Sequence, residues 1–211
     1  MTDVLIIGAM GYGREVFEFI QIMNSEKPIY NIKGFLDDRE HALDGFSGFP
    51  NILTSVENYE PKPGDLFVCA VGEPKARMKY INLIKKRNGN FLSLIHPESR
   101  VSKNADLGEG VIISGISIIS NNVRIGDFSI VHPFCNIGHD ASVGYNSSIG
   151  SHCFMGGGSS VGSTTIVHPH ATILPHISVG DNAIVGAGSV VIRQVKNNST
   201  VFGVPAKKVD Y

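Results

Sequence analysis

Two residues with catalytic chemistry stand side by side in Ile137-Gly138-His139-Asp140-Ala141-Ser142-Val143-Gly144. A carboxylate near one ring nitrogen of a histidine fixes the tautomer and raises the basicity of the other nitrogen, which then serves as a general base. Neighbours in an extended strand face opposite ways, so His139 and Asp140 can pair only at a corner of the chain. Eighteen residues after His139 comes Gly157, inside the run Gly156-Gly157-Gly158. Such a run lets a ligand approach the backbone closely, and an N–H group there can hold a developing oxyanion. Base and donor work together only if the fold stacks Gly157 over His139.

The elements that must do this are visible as a repeat of period six. From Val101 to Val191, every sixth residue is aliphatic, sixteen positions in succession, and the residue after each is often Gly, as at Gly108, Gly126, Gly138, Gly150 and Gly162. Two residues before each aliphatic the side chain is usually small, as at Ala105, Ser117, Cys135, Ser147 and Ala183. This period fits neither a helix nor a hairpin array, but it fits a coil of short strands separated by tight corners. Each hexad makes one side of a prism: the aliphatic points inward, the small residue sits at a crowded corner, and Gly or Asn supplies backbone angles that branched residues resist. Three hexads close a turn of about 18 residues, so residues 18 apart stack at the strand spacing of roughly 4.8 Å. Residues 101–196 then give a little over five turns, and Gly157 lies one coil above His139.

The N-terminal third has a different texture. Val4-Leu5-Ile6-Ile7 ends in Gly8-Ala9-Met10-Gly11-Tyr12-Gly13, after which Arg14 to Met23 has helical character. Strand, glycine-rich turn and helix start place backbone N–H groups where a phosphate can dock. The spacing is GxxGxG, so the dinucleotide fingerprint is absent and an NAD-dependent role is unsupported. Two further strands are expected over 32–36 and 65–71, the first ending in Asp37-Asp38, either of which can accept hydrogen bonds from a ribose or base, and the second in Gly72-Glu73-Pro74. A helix over 75–87 and a last strand over 91–95 lead into the repeat. The expected division is 1–96 for an α/β Rossmann-like domain, 97–196 for the parallel β-helix and 197–211 for a tail that covers its open end.

Composition narrows the classes of function. Among 211 residues, 18 basic and 19 acidic side chains give a formal net charge of -1, with no electrostatic footprint for nucleic acid. Neither a signal peptide nor a membrane span is expected, and a cytoplasmic location follows by default. Cys69, Cys135 and Cys153 form no CxxC pair and read as small buried side chains. The other histidines fall in ladders: His132 and His168 are two coils apart, and His152 and His170 one coil apart. Such ladders could hold a metal between subunits, as in a hydratase of the γ-carbonic-anhydrase kind, but no metal is expected here, because a nucleotide-binding domain has no place in that reaction.

GAMGYGRE, FLDD, AVGEPKAR and then a repeat containing IGHDASVG, in that order, resemble the sialic acid O-acetyltransferases and the bacillosamine or perosamine N-acetyltransferases, and the resemblance covers nearly the whole chain. It implies a left-handed β-helix, usually in a homotrimer, and acetyl transfer from acetyl-CoA to a 4-amino-4,6-dideoxy sugar linked to UDP, GDP or TDP, for surface glycan (lipopolysaccharide or O-antigen) synthesis. It implies that Met10, Gly11, Tyr12, Asp37, Asp38 and Gly72 hold the nucleotide sugar. The family's catalytic histidine–acid pair aligns with His139 and Asp140. Acetyl-CoA is implied to lie along the last coils at Pro169, Ala187 and Gly188, with Lys207 or Lys208 near its 3′-phosphate. Many relatives carry a second histidine nine positions after the catalytic one, where this chain has Ser148, and often a histidine where Tyr12 stands. O-acetylation of sialic acid or a related sugar is the alternative within the family, and a non-catalytic β-helix scaffold the alternative outside it.

Overall fold

The computed structural model describes residues 1–26 and 28–209. The chain divides into two compact units, Met1–Ser93 and the residues from Leu94 onward. The break falls three residues earlier than the expected one at 96. Leu94 and Ile95 pair with Ile112 and Ile113, one coil on, and so form the first strand of the repeat. The expected last strand is split accordingly: Asn90–Phe91 closes the sheet of the first unit, and Leu94–Ile95 opens the second.

In the first unit the strands β1 (Thr2–Ile7), β2 (Tyr30–Leu36), β3 (Ile52–Thr54), β4 (Leu66–Cys69) and β5 (Asn90–Phe91) make a parallel sheet in the order β3-β2-β1-β4-β5. Val4 to Ile7 are all fully buried, as expected for a central parallel strand that is covered on both faces. The strand order reverses at β1, which opens a crevice beyond the carboxyl ends of β1 and β4. Helix α1 (Gly11–Glu26) begins there, three residues before the expected start. Helix α2 (Pro74–Lys86) is capped by Glu73, whose carboxylate accepts the N–H groups of Lys75 and Ala76 at 2.9 and 2.6 Å, with Pro74 in the first turn.

In the second unit, two-residue strands recur every six residues from Leu94–Ile95 to Val190–Val191 and stack into three parallel sheets. Register is 18 residues throughout: Val101, Ile119, Ile137, Met155, Ile173 and Val191 form one inward column. The final coil is shorter, since Ile184 pairs with Thr200, 16 residues on. The chain then turns back as Lys207–Val209, antiparallel to Thr200–Phe202, at the open edge. Residues 210–211 of the expected tail lie outside the described residues.

From Gly108 to Ser189 each corner is a four-residue turn whose third residue has a positive φ, and here the structure corrects the expected role of the glycines. The glycine that follows each aliphatic does not carry the left-handed angle. That angle falls two residues later, on Asn122 (59°), Phe128 (59°), Phe134 (63°), Asp140 (60°) or His152 (60°). The glycines are required by contact between coils: a Cβ on Gly126 would stand 2.7 Å from the Tyr145 nitrogen, and one on Gly150 2.6 Å from the Pro169 nitrogen. The small residues at the ends of the turns act as staples as well as spacers. Ser147 Oγ donates to the Gly162 carbonyl at 2.6 Å and accepts the Thr165 N–H at 3.0 Å, and Thr165 repeats the pattern with Gly180 and Ala183. Cys135 and Cys153, free and buried, donate to the Gly150 and His168 carbonyls.

Candidate active site

His139 and Asp140 are the two central residues of the turn Gly138–Ala141, which is closed by a hydrogen bond from the Ala141 N–H to the Gly138 carbonyl at 3.3 Å. The left-handed angle at Asp140 swings its carboxylate alongside the imidazole, and Nδ1 of His139 lies 2.7 Å from Oδ2 of Asp140. The other carboxylate oxygen accepts from Asn122 Nδ2 at 3.0 Å, one coil below. These hydrogen bonds, His139 first and Asn122 second, hold Asp140 below the ordinary carboxylate range. An ionised Asp140 places the ring proton on Nδ1 and leaves Nε2 as the basic nitrogen. Both side chains are open, 70% and 56% exposed, so a substrate can reach the base directly.

Gly157 lies over this ring. A Cβ there would be 2.8 Å from both Cε1 and Nε2 of His139, so the edge carrying the basic nitrogen faces the Gly157 backbone. At equivalent turn positions elsewhere, an acidic or amide side chain one coil on takes up the N–H group: Asp127 accepts from Glu109, Asp181 from Ser163 and Asn197 from Asp181. One coil beyond Gly157 stands Pro175, which has no side-chain acceptor, and among the described residues the Gly157 N–H has no partner. A base and an unpaired donor therefore share one corner, where they can deprotonate a nucleophile and hold an oxyanion. Gly158 makes room for a second imidazole. A Cβ on it would stand 2.6 Å from Nδ1 of His176, so two rings flank the glycine pair from opposite sides.

The first unit has a pocket of about 360 Å³ lined by Gly8, Asp37, Asp38, Arg39, Val56, Val71 and Tyr80 among others, at the crevice where the strand order reverses. Asp37 is placed there but is already occupied: its oxygens accept from the Ala9 N–H at 2.8 Å, the Arg39 N–H at 2.9 Å and the Arg39 guanidinium at 2.9 Å. Burial pushes this carboxyl up, and the Arg39 and Ala9 hydrogen bonds outweigh it, leaving Asp37 below its usual range. Asp37 thus clamps the glycine-rich turn to the end of β2. Asp38 accepts from the Val56 N–H at 3.2 Å and from the Tyr80 hydroxyl at 2.8 Å. Burial, then the Asp38 carboxylate, push the Tyr80 phenol up to about 12, so it remains a donor at any working pH.

The glycines of the turn separate into two kinds. Gly13 is required by packing, because a Cβ would lie 1.9 Å from the Gly8 carbonyl oxygen, whereas Gly11 has open space around it and leaves the helix start approachable. Met10 is exposed and Tyr12 half-buried beside it. The Gly72 carbonyl accepts from the buried Arg77 at 3.1 Å. Neither Gly72 nor Met10, Gly11 or Tyr12 is among the pocket's lining residues.

The PglD N-terminal domain family matches residues 3–84, and the bacterial transferase hexapeptide family (six repeats) matches residues 158–193. Residues 3–84 therefore carry a PglD-type N-terminal domain and residues 158–193 bacterial transferase hexapeptide repeats. UDP-N-acetylbacillosamine N-acetyltransferase of Bacillus subtilis (strain 168) is 30% identical over 117 residues, 54% of this chain and 51% of the relative, so the chain spans about half the length of that curated relative. PerB from Caulobacter crescentus, solved with CoA and GDP-perosamine, superposes with a TM-score of 0.89 at 26% identity, over 100% of this chain and 98% of that one. The acetyltransferase domain of PglB from Neisseria gonorrhoeae FA1090 shares the fold, with a TM-score of 0.76 at 22% identity over 99% and 100% of the two chains.

Two of the expected donor-binding residues meet: Gly188 donates its N–H to the Pro169 carbonyl at 2.9 Å. Both lie, with Ala187, at a corner one prism side away from His139. Ser148 is 6% exposed and so does not stand at the surface. Lys207 and Lys208 are exposed on the last strand. His152 and His170 stack face to face with 3° between ring planes, which directs their nitrogens outward in parallel instead of toward one shared point. Among the described residues no group of three His, Cys, Asp or Glu side chains could hold a metal, and no helix is long and apolar enough to cross a membrane. Asn122, His176, Arg39 and Tyr80 were not expected at the sites. Asn122 and His176 were within reach of the repeat itself, since they stand 18 residues from Asp140 and Gly158. Nothing local in the sequence marks Tyr80, which is 42 residues from Asp38.

Proposed function

We propose that this chain is an acetyl-CoA-dependent N-acetyltransferase acting on a nucleotide-linked 4-amino-4,6-dideoxy sugar, in the service of surface glycan synthesis. The observation that carries the proposal is the pairing of Nε2 of His139 with the unpartnered Gly157 N–H at one open corner. In this reading the neutral sugar amine attacks the thioester carbonyl carbon and His139 Nε2 takes the amine proton. Asp140 steadies the resulting imidazolium, and the carbonyl oxygen, now an oxyanion, accepts from Gly157. As the C–S bond breaks, the imidazolium returns its proton to the sulfur and CoA leaves as a thiol. The pocket at Arg39 and Tyr80 takes the nucleotide, as its position at the strand-order reversal supports. The relatives named for N-acetylation, one of them solved with CoA and GDP-perosamine, support an amine acceptor.

The test is incubation of the protein with acetyl-CoA and a panel of UDP-, GDP- and TDP-linked 4-amino sugars, with mass spectrometry of the sugar. Gain of one acetyl group in place of one hydrogen is expected. His139→Ala should lower kcat by about 10²–10⁴-fold, the usual share of a general base. Transfer to none of the sugars would overturn the reaction, and full activity in His139→Ala would overturn the mechanism.

A further inference from the structure

One corner of the β-helix carries a ladder of flat side chains. The Phe134 and His152 rings lie 4.6 Å apart between centroids at 10°, and His152 and His170 lie 4.7 Å apart at 3°. Each rung stands 18 residues after the last, and the next position in the column is Gly188.

Two ordinary reasons for a glycine fail at this position. The backbone does not demand one: Ile116, Phe134, His152 and His170 occupy the same turn position with φ of 57°, 63°, 60° and 61°, against 66° at Gly188. Crowding does not demand one either, because no atom lies within 4 Å of the place where its Cβ would stand. Gly158, at another corner, is the contrast, since its Cβ would strike the His176 ring. The column therefore ends in an exposed imidazole with an open rung beyond it.

We propose that this rung is a stacking site for a purine, the adenine of the acetyl-CoA donor, with the His170 ring as its platform. The inference rests on the acetyl-CoA-dependent reading above and adds to it a residue and a ligand part. Every base has a π-face, so a ring whose own face is open to solvent is a ready platform for a nucleotide. The backbone beneath is already satisfied, with the Gly188 N–H on the Pro169 carbonyl, so the recognition offered is by ring face. Of the two nucleotides in the proposed reaction, the sugar's has a pocket in the first unit, which leaves the donor's adenine for this corner. His170 precedes His176, at the catalytic corner, by six residues, and six extended residues span at most about 20 Å. The pantetheine arm of CoA bridges a separation of that order.

The test compares wild type, His170→Ala and Gly188→Phe. Calorimetry with adenosine 3′,5′-bisphosphate, which carries the adenine and no acyl arm, reads the site without any turnover. Wild type should bind, His170→Ala should bind about tenfold more weakly, as the loss of one stacked base predicts, and Gly188→Phe should abolish binding by supplying the fourth ring itself. In turnover, His170→Ala should raise KM for acetyl-CoA about tenfold and leave KM for acetyl-phosphopantetheine, which lacks the adenosine, unchanged. Failure of wild type to bind the bisphosphate, equal binding by wild type and His170→Ala, or equal KM changes for both donors would overturn the proposal. If Gly188→Phe does not fold, the His170→Ala comparison decides alone. Wild type that binds the bisphosphate and His170→Ala that does not, with no acetyl transfer to any sugar, would sink the functional reading and leave the adenine site standing.

Discussion

Asn122 has no chemistry of its own in the proposed acetyl transfer, yet it sets the state of the acid beside the proposed base. Its amide and the His139 ring occupy both oxygens of Asp140 and keep that carboxyl below its ordinary 3.8. With a depressed value, the Asp140 carboxylate is ionised at all pH above the ordinary range and is lost only as pH falls through the lowered value. Asn122→Ala should therefore move the Asp140 titration upward, toward 3.8, as read by carbon NMR of the side-chain carboxyl. An unchanged midpoint would mean that the His139 hydrogen bond alone sets it. Gly157 is constrained more tightly, because any side chain would enter the His139 ring. Gly157→Ala should cut kcat by about 10²-fold or more while the melting temperature stays near that of wild type, since the ring it displaces is exposed. The dyad was legible because two adjacent residues carried it and the six-residue period placed them at a corner. Asp37 was read, with Asp38, as an acceptor for a ribose or base, and nothing in Phe35-Leu36-Asp37-Asp38 shows that Arg39 and the Ala9 N–H will also claim its oxygens.

The coil is the element at which sequence and structure agree most closely and where the remaining error is most instructive. An unbroken aliphatic column needs no context to be read, because burial of every sixth residue calls for short strands at a fixed spacing, whichever the hand of the coil. The glycines that follow the aliphatics were assigned to the corners correctly but for the wrong reason, and the serines do more there than fit a crowded space. Conformational preference is local and visible, whereas contact with a backbone 18 residues away appears only once the coils are stacked. The hydroxyl staples follow from the same stacking and make a direct prediction. Thr165 donates to the Gly180 carbonyl at 2.7 Å and accepts the Ala183 N–H at 3.3 Å, fully buried. Thr165→Val keeps the shape and leaves both backbone groups unpaired, which costs about 1–3 kcal/mol. A lowered urea midpoint with an unchanged far-ultraviolet circular dichroism spectrum is the expected result. Ser160→Ala, on an outward-facing position of the same repeat, should shift the midpoint far less.

At the scale of the molecule, the corner proposed as catalytic stands open to solvent. Most of the His139 side chain faces solvent in the single chain. The adjoining face of the β-helix carries exposed apolar groups as well: Ile118 and Phe154 project from its strands at 42% and 41% exposure, with Asn136 between them, and Leu174 and Ile192 follow strands of the same sheet at 37% and 40%. Large aliphatic and aromatic groups arrayed on one flat side mark a surface that another chain covers. A heterologous contact on such a side closes into a ring when the rotation is threefold, which fits the homotrimer that the family resemblance implies. Sedimentation equilibrium should therefore return three times the chain mass for wild type. Replacing both Ile118 and Phe154 with Asp should return the single-chain mass, because two charges in an apolar contact cost far more than the rim of an interface can offset. The substituted residues point away from the prism core, so the aliphatic column and the His139–Asp140 pair remain in place. Acetyl transfer should nonetheless fall with the trimer. A double variant that is monomeric and fully active would show that one prism corner suffices for the chemistry, and a wild-type protein that sediments as a single chain would remove the trimer altogether.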